Sequence, residues 1–151
     1  MPLFGDSHVH TALSYDANVR GTRLGHEDAY RFARDDATGI HPYDENGTAL
    51  RNIRRDRPLD WVAISDHAEY LGTVAQCTDP SLPGYYHPQC ELYRGDPLES
   101  FSKFGLITSR PPETVAYPEL CGTGGEHRLE SGLEVWRKIQ HDAAAFHDAS
   151  S

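Results

Sequence analysis

Apolar and polar positions alternate and then part company at the start of the chain. Leu3 and Phe4 give way to Asp6, His8 and His10, so residues 3–11 predict a short strand that turns polar at its carboxyl end. A helix is predicted over residues 26–34, where Ala29, Phe32 and Ala33 form an i, i+3, i+4 stripe and Glu27 and Asp28 complement the dipole in the first turn. Residues 39–55 mix an Asn46-Gly47 turn signal with Thr48, Leu50 and Ile53, the pattern of a small hairpin. After Pro58, residues 59–65 read as a strand buried on both faces of a parallel sheet, because Trp61-Val62-Ala63-Ile64 is apolar and rich in β-formers.

The pattern then loosens. The stretch 72–125 holds 14 of the chain's 23 glycines and prolines, so it is expected to be an irregular excursion, with one short helix near 97–103. A last helix is predicted to start near Gly132, with Ser131 to Glu134 as a capping box. Its Leu133, Trp136, Ile139, Ala143 and Phe146 trace one apolar face, expected to pack on a core. Strand, helix, strand, excursion, helix is the order of an α/β protein. The 151 residues then form one partial domain, with 1–71 as a βαβ part, 72–125 as the excursion and 126–151 as an amphipathic helix. In such sheets ligands gather where strands end.

Composition narrows the function classes. Acidic residues outnumber basic ones 23 to 14, for a net charge of -9, which disfavours a generic grip on nucleic-acid phosphates. No apolar run exceeds four residues, so neither a membrane span nor a signal-peptide core is expected. With Gly counted and Tyr left out, the apolar share is about 41%, below the roughly 45–50% of average globular chains, and the core is expected to be modest. Cys77, Cys90 and Cys121 form an odd set without CxxC spacing. That argues against a thiolate zinc knuckle and makes free thiols the first reading, with a Cys77–Cys90 bridge as the alternative.

The nine histidines direct attention to metal chemistry. In His8-Val9-His10 the strand period of two puts both imidazoles on one face. Asp16 follows across a turn, close enough to fold back over the strand end, and Asp66-His67 closes the second predicted strand at the same sheet edge. Neutral nitrogen and anionic oxygen from His8, His10, Asp16 and His67 suit manganese, zinc or iron. Asp6, Asp66 and Glu69 are the expected outer partners of those rings, since a ligating histidine commonly donates its other N–H to a carboxylate. His26, His41, His87, His127, His141 and His147 are expected at solvated positions. Arg23 is a candidate for holding an anionic substrate, with loop ion pairs as the other reading for it and more so for Arg20.

Phe4-Gly5-Asp6-Ser7-His8-Val9-His10-Thr11, Asp16, Gly21-Thr22-Arg23-Leu24, Asp28-Ala29-Tyr30-Arg31-Phe32-Ala33, Arg57-Pro58-Leu59-Asp60 and Ser65-Asp66-His67-Ala68-Glu69-Tyr70-Leu71-Gly72 resemble the PHP (polymerase and histidinol phosphatase) superfamily. More narrowly, they resemble its domain-of-unknown-function 3604 (DUF3604) branch. The likeness covers the first half of the chain well and thins beyond Leu71, where Leu120-Cys121-Gly122 and the Trp136 helix still resemble that branch. It implies a distorted (β/α)7 barrel, a TIM-like architecture, that binds two or three divalent metals and hydrolyses phosphate esters. By position, His8 and His10 match the first motif of the superfamily, Asp16 a ligand position after it, and His67 the ligand of the second.

The later ligands of such a barrel, a Glu on a third strand, further histidines and a closing Asp-x-His, have no counterpart here. A barrel of this class takes on the order of 250 residues, so the resemblance implies its N-terminal part alone. The implied function is a phosphoesterase-like hydrolase using metal-activated water on a small-molecule ester, with no nucleic acid or membrane as partner. The alternative is a noncatalytic metal-binding or interaction remnant of a truncated protein, self-associating through exposed strand edges. The compartment stays open, since exported relatives would carry a leader ahead of the first strand.

Overall fold

Two strands far apart in sequence pair in parallel. In the computed structural model, which describes residues 1–108, 118–122 and 124–147, β1 (Gly5–Val9) lies beside β4 (Trp61–Ile64), with Gly5 opposite Trp61, Asp6 opposite Val62 and Val9 opposite Ile64. Parallel neighbours need a long crossover. Here it carries α1 (Tyr15–Val19), α2 (His26–Ala33) and an antiparallel hairpin of β2 (Thr38–Tyr43) and β3 (Ala49–Ile53). Gly5 is required where it stands: a Cβ there would lie 2.2 Å from the Trp61 ring.

Local chemistry explains the crossover. Gly25 starts α2, and its N–H is taken by the Asp28 carboxylate three residues on, at 3.0 Å, half of a reciprocal cap. In the hairpin turn Asp44 Oδ1 accepts from the N–H groups of Asn46 and Thr48 at 2.9 and 2.7 Å, while Gly47 takes the left-handed backbone at φ +79°, as the Asn-Gly signal implies.

The chain divides into two compact units, Met1–His67 with the described part of Lys138–Ser151, and Ala68–Arg137. The first holds both sheets, α1, α2 and the end of α7 (Glu126–Phe146). In it the Phe146 ring stacks on Tyr30 at 5.4 Å, and Arg34 donates to the Phe146 carbonyl at 2.5 Å. The second unit is helical: a 3₁₀ turn (Ala68–Tyr70), α3 (Leu71–Thr78), a 3₁₀ turn (Pro83–Tyr86), α4 (Pro88–Arg94), α5 (Pro97–Thr108), α6 (Pro118–Cys121) and the start of α7. Mixed helix and sheet is the α/β class. Among the described residues no helix is long and apolar enough to cross a membrane.

The structure corrects several expectations. Residues 72–125 are not irregular where described, because Pro83, Pro88, Pro97 and Pro118 each stand at the start of a helical element, where the missing N–H is not needed and the fixed φ is already helical. The last helix starts at Glu126, the first residue of the 126–151 division, and not near Gly132. Ser131 is inside it and no cap: its Oγ donates to the His127 carbonyl at 2.9 Å and accepts from Gln76 Nε2 at 2.6 Å. On that helix Leu133 and Trp136 remain 48% and 49% exposed, so only the later part of the expected stripe is half-buried.

β4 is not buried on both faces. Trp61 and Ala63 are exposed while Val62 and Ile64 are half-buried, the alternation of a strand covered on one side only. Cys77 and Cys90 are not free thiols but a disulfide, joining the end of α3 to α4 across a separation of 13 residues. Cys121 is free and buried.

Candidate metal centre

The cluster assembles where β1 and β4 end. His8 and His10 emerge on one side of β1, and their rings stack at a centroid separation of 4.6 Å with 28° between planes. His67 follows β4 by three residues, and its ring meets that of His10 edge-on at 5.0 Å. Asp16 comes back to the strand end because Thr11 to Ser14 form a turn, closed by the Ser14 N–H to Thr11 carbonyl bond at 3.0 Å, from which α1 begins.

Asp16 is the centre of the arrangement. Its oxygens accept from His10 Nδ1 at 3.1 and 3.0 Å and from Ser14 Oγ at 2.7 Å, and Oδ1 lies 3.9 Å from His67 Nε2. Ser14, fully buried, also accepts the His67 backbone N–H at 3.1 Å, so one hydroxyl ties the aspartate to the segment bearing the histidine. Burial pushes the Asp16 carboxyl up, but the hydrogen bonds from Ser14 and His10 and the His10 charge outweigh it and hold the carboxyl below its ordinary range.

His10, Asp16 and His67 offer ligand atoms that all lie within 4.8 Å of one another. Around one cation at bond lengths of about 2.0–2.2 Å, tetrahedral ligand atoms stand about 3.3–3.6 Å apart. Measured to the single oxygen Oδ1 of Asp16, the separations of 3.1 Å from His10 Nδ1 and 3.9 Å from His67 Nε2 bracket that span. Two imidazoles and an anionic oxygen are also a suitable donor set for a borderline divalent ion, so the residues fit one.

The other predicted residues take different places. His8 is exposed and adjoins the trio through its stack on His10. Asp6 accepts the backbone N–H of His8 at 2.9 Å. Asp66 serves the backbone and a distant helix: Oδ1 accepts the Thr11 N–H at 2.6 Å, and Oδ2 accepts Thr11 Oγ1 at 2.7 Å and His26 Nε2 at 2.6 Å. Glu69 stands in the 3₁₀ turn that opens the second unit. Arg23 is exposed, and its Nη1 donates to the carbonyls of Asn18 and Thr22 at 2.9 and 3.0 Å.

His26 is the residue that sequence reasoning missed. Expected in solvent, it is 3% exposed, because it begins α2 on the same face as Ala29 and Ala33, at i, i+3 and i+7. That spacing was the available signal. His41, His127, His141 and His147 are exposed, and His87 caps α4 by accepting from the Gln89 N–H at 3.2 Å.

No curated protein and no solved structure matches the chain. The family described as a protein of unknown function (DUF3604) has a model that matches residues 1–146, and the chain belongs to that family.

Proposed function

We propose that the protein is a metal-dependent hydrolase of PHP type, acting on a phosphoester or related small-molecule ester, with His10, Asp16 and His67 holding a divalent manganese, zinc or iron ion and His8 standing by for it. The single observation that carries this reading is the convergence of two imidazoles and a carboxylate at adjacent strand ends. The parallel pairing of β1 with β4 supports the finer reading, an N-terminal part of a distorted (β/α)7 barrel, because such barrels are built from parallel strands with their chemistry at the carboxyl ends.

A divalent ion held there by His10, Asp16 and His67 would supply Lewis acidity, toward water and toward the ester. The chain's own residues do the rest. Asp16 contributes negative charge that offsets the cation, and Ser14 fixes its carboxylate by a hydrogen bond to Oδ1. His10 and His67 present ring nitrogens from two strand ends whose spacing the β1–β4 register sets.

The test is metal analysis with hydrolysis of p-nitrophenyl phosphate and bis-p-nitrophenyl phosphate. Wild type is expected to bind manganese or zinc and to turn over one of the two, and His10→Ala with His67→Ala to abolish both properties. A folded wild type without metal affinity, or with affinity unchanged in the double variant, overturns the reading.

A second reading, a noncatalytic metal-binding module, draws support from the open faces of the first unit: Leu3, Phe4 and Trp61 are 69%, 50% and 47% exposed. It predicts metal binding without turnover, and self-association through strand edges visible in size exclusion.

A further inference from the structure

Asp66 lies between the two segments that bear the candidate ligands. It immediately precedes His67, and its carboxylate grips Thr11, the residue immediately after His10, through both the backbone N–H and the hydroxyl. The grip is dry: Thr11 is 2% exposed and the Asp66 side chain 3%. A carboxylate buried to this degree needs its lone pairs satisfied. Thr11 leaves one lone-pair direction on Oδ2 open. His26 fills it, from α2, with Nε2 2.6 Å from Oδ2 and only 2% of its side chain exposed.

Because the acceptor is a carboxylate, the proton lies on Nε2. The ring's other nitrogen, Nδ1, is buried without a hydrogen-bond partner. An imidazole that forgoes one of its own bonds is an expensive way to fill space beside Ala29 and Ala33, and its return is the orientation of Asp66.

We propose that His26 is a positioning residue for the cation site: through Asp66 it fixes the backbone at Thr11, and with it the relative placement of His10 and His67. This inference rests on the metal-centre reading above. It assigns to a helix 15 or more residues from either histidine motif a part in cation affinity rather than in folding alone.

The experiment is calorimetric titration of the purified full chain with Zn²⁺. His26→Ala is expected to weaken binding by about tenfold, and His26→Gln, whose side-chain N–H reaches Asp66, to restore most of it. Ala33→Gly loosens the same helix without touching Asp66, and is expected to bind as wild type does. Should His26→Ala lose its fold, Thr11→Val carries the test: it removes one link to Oδ2 and is expected to weaken binding severalfold. Unchanged affinity in His26→Ala or Thr11→Val, no rescue by His26→Gln, or an equal loss in Ala33→Gly overturns the inference while wild-type binding preserves the metal-centre reading. Absence of binding in wild type, or binding indifferent to His10→Ala, takes both down.

Discussion

Gly72 and Arg128 meet so closely that a Cβ on Gly72 would stand 1.9 Å from the Arg128 carbonyl oxygen. Across the same crossing, a Cβ on Gly132 would lie 3.5 Å from the Gly72 nitrogen, ordinary contact. The near-absence of side chain at 72 therefore sets how closely α3 and α7 approach within the second unit. The obstruction is backbone, which cannot swing aside as a side-chain tip can. Gly72→Ala is expected to destabilise the chain by about 3 kcal/mol, the upper part of the usual overpacking range, while Gly132→Ala changes stability little. Urea unfolding of the two variants beside wild type checks the contrast.

The disulfide sits nearby. Cys77 and Cys90 are both fully buried, and Gln76 beside them donates to Ser131 and accepts the Gly84 N–H at 2.9 Å. A bridge closing a loop of this length restricts the unfolded chain by about 3 kcal/mol in the loop-entropy account. Reduction with a phosphine is expected to lower the urea midpoint accordingly, and thiol titration of the denatured, unreduced chain to find one reactive cysteine, Cys121. Three reactive thiols before reduction would contradict the pairing.

Much of the first unit was legible. Asn46-Gly47 announced the hairpin because few residues other than Asn and Gly accept the backbone angles such a turn demands, and the period of two in His8-Val9-His10 put two rings on one face. The second unit was misread for a physical reason: a proline is a breaker inside a helix and a starter at its first position, and composition cannot tell which until the residues after it are known to bury a face. Ser131 was misread likewise. A serine three residues before a glutamate looks like a cap, and only Gln76, 55 positions away, makes it an interior partner. The disulfide and the burial of His26 depend on such distant neighbours too, and no local pattern contains them.

Asp142 offers a pH prediction in the first unit. It is 6% exposed and accepts from Lys138 Nζ at 2.7 Å one turn earlier and from His141 Nδ1 at 3.4 Å. Burial raises its pKa, but the bonds from Lys138 and His141, with the charge of Lys138, prevail and keep the carboxyl below its ordinary value of 3.8. A group depressed on folding stabilises the native state above its unfolded pKa, and that contribution is lost as pH falls through the folded value. Asp142→Asn has no such contribution to lose. The gap in unfolding free energy between wild type and Asp142→Asn is therefore expected to be full at pH 6 and to shrink once the pH drops below about 3.8, measured by denaturant titration at each pH. A gap that widens toward acid would contradict the assignment.

Mass action on the proposed centre makes the stability of the fold depend on added metal. An ion that binds the folded chain alone stabilises it by RT ln(1 + [L]/Kd), about 2.7 kcal/mol at a hundredfold excess over Kd. Zinc or manganese is therefore expected to raise the melting temperature in a concentration-dependent manner, and EDTA to reverse the rise. His10→Ala removes one of the three convergent donors and is expected to lose the shift. Ser14→Ala keeps all three donors but frees Asp16 from the hydroxyl that orients it and unties the His67 backbone, so its shift is expected to survive and to require several times more metal. Differential scanning fluorimetry over a metal series separates the three outcomes. An equal response in all three proteins would mean that the ion binds somewhere other than the ends of β1 and β4.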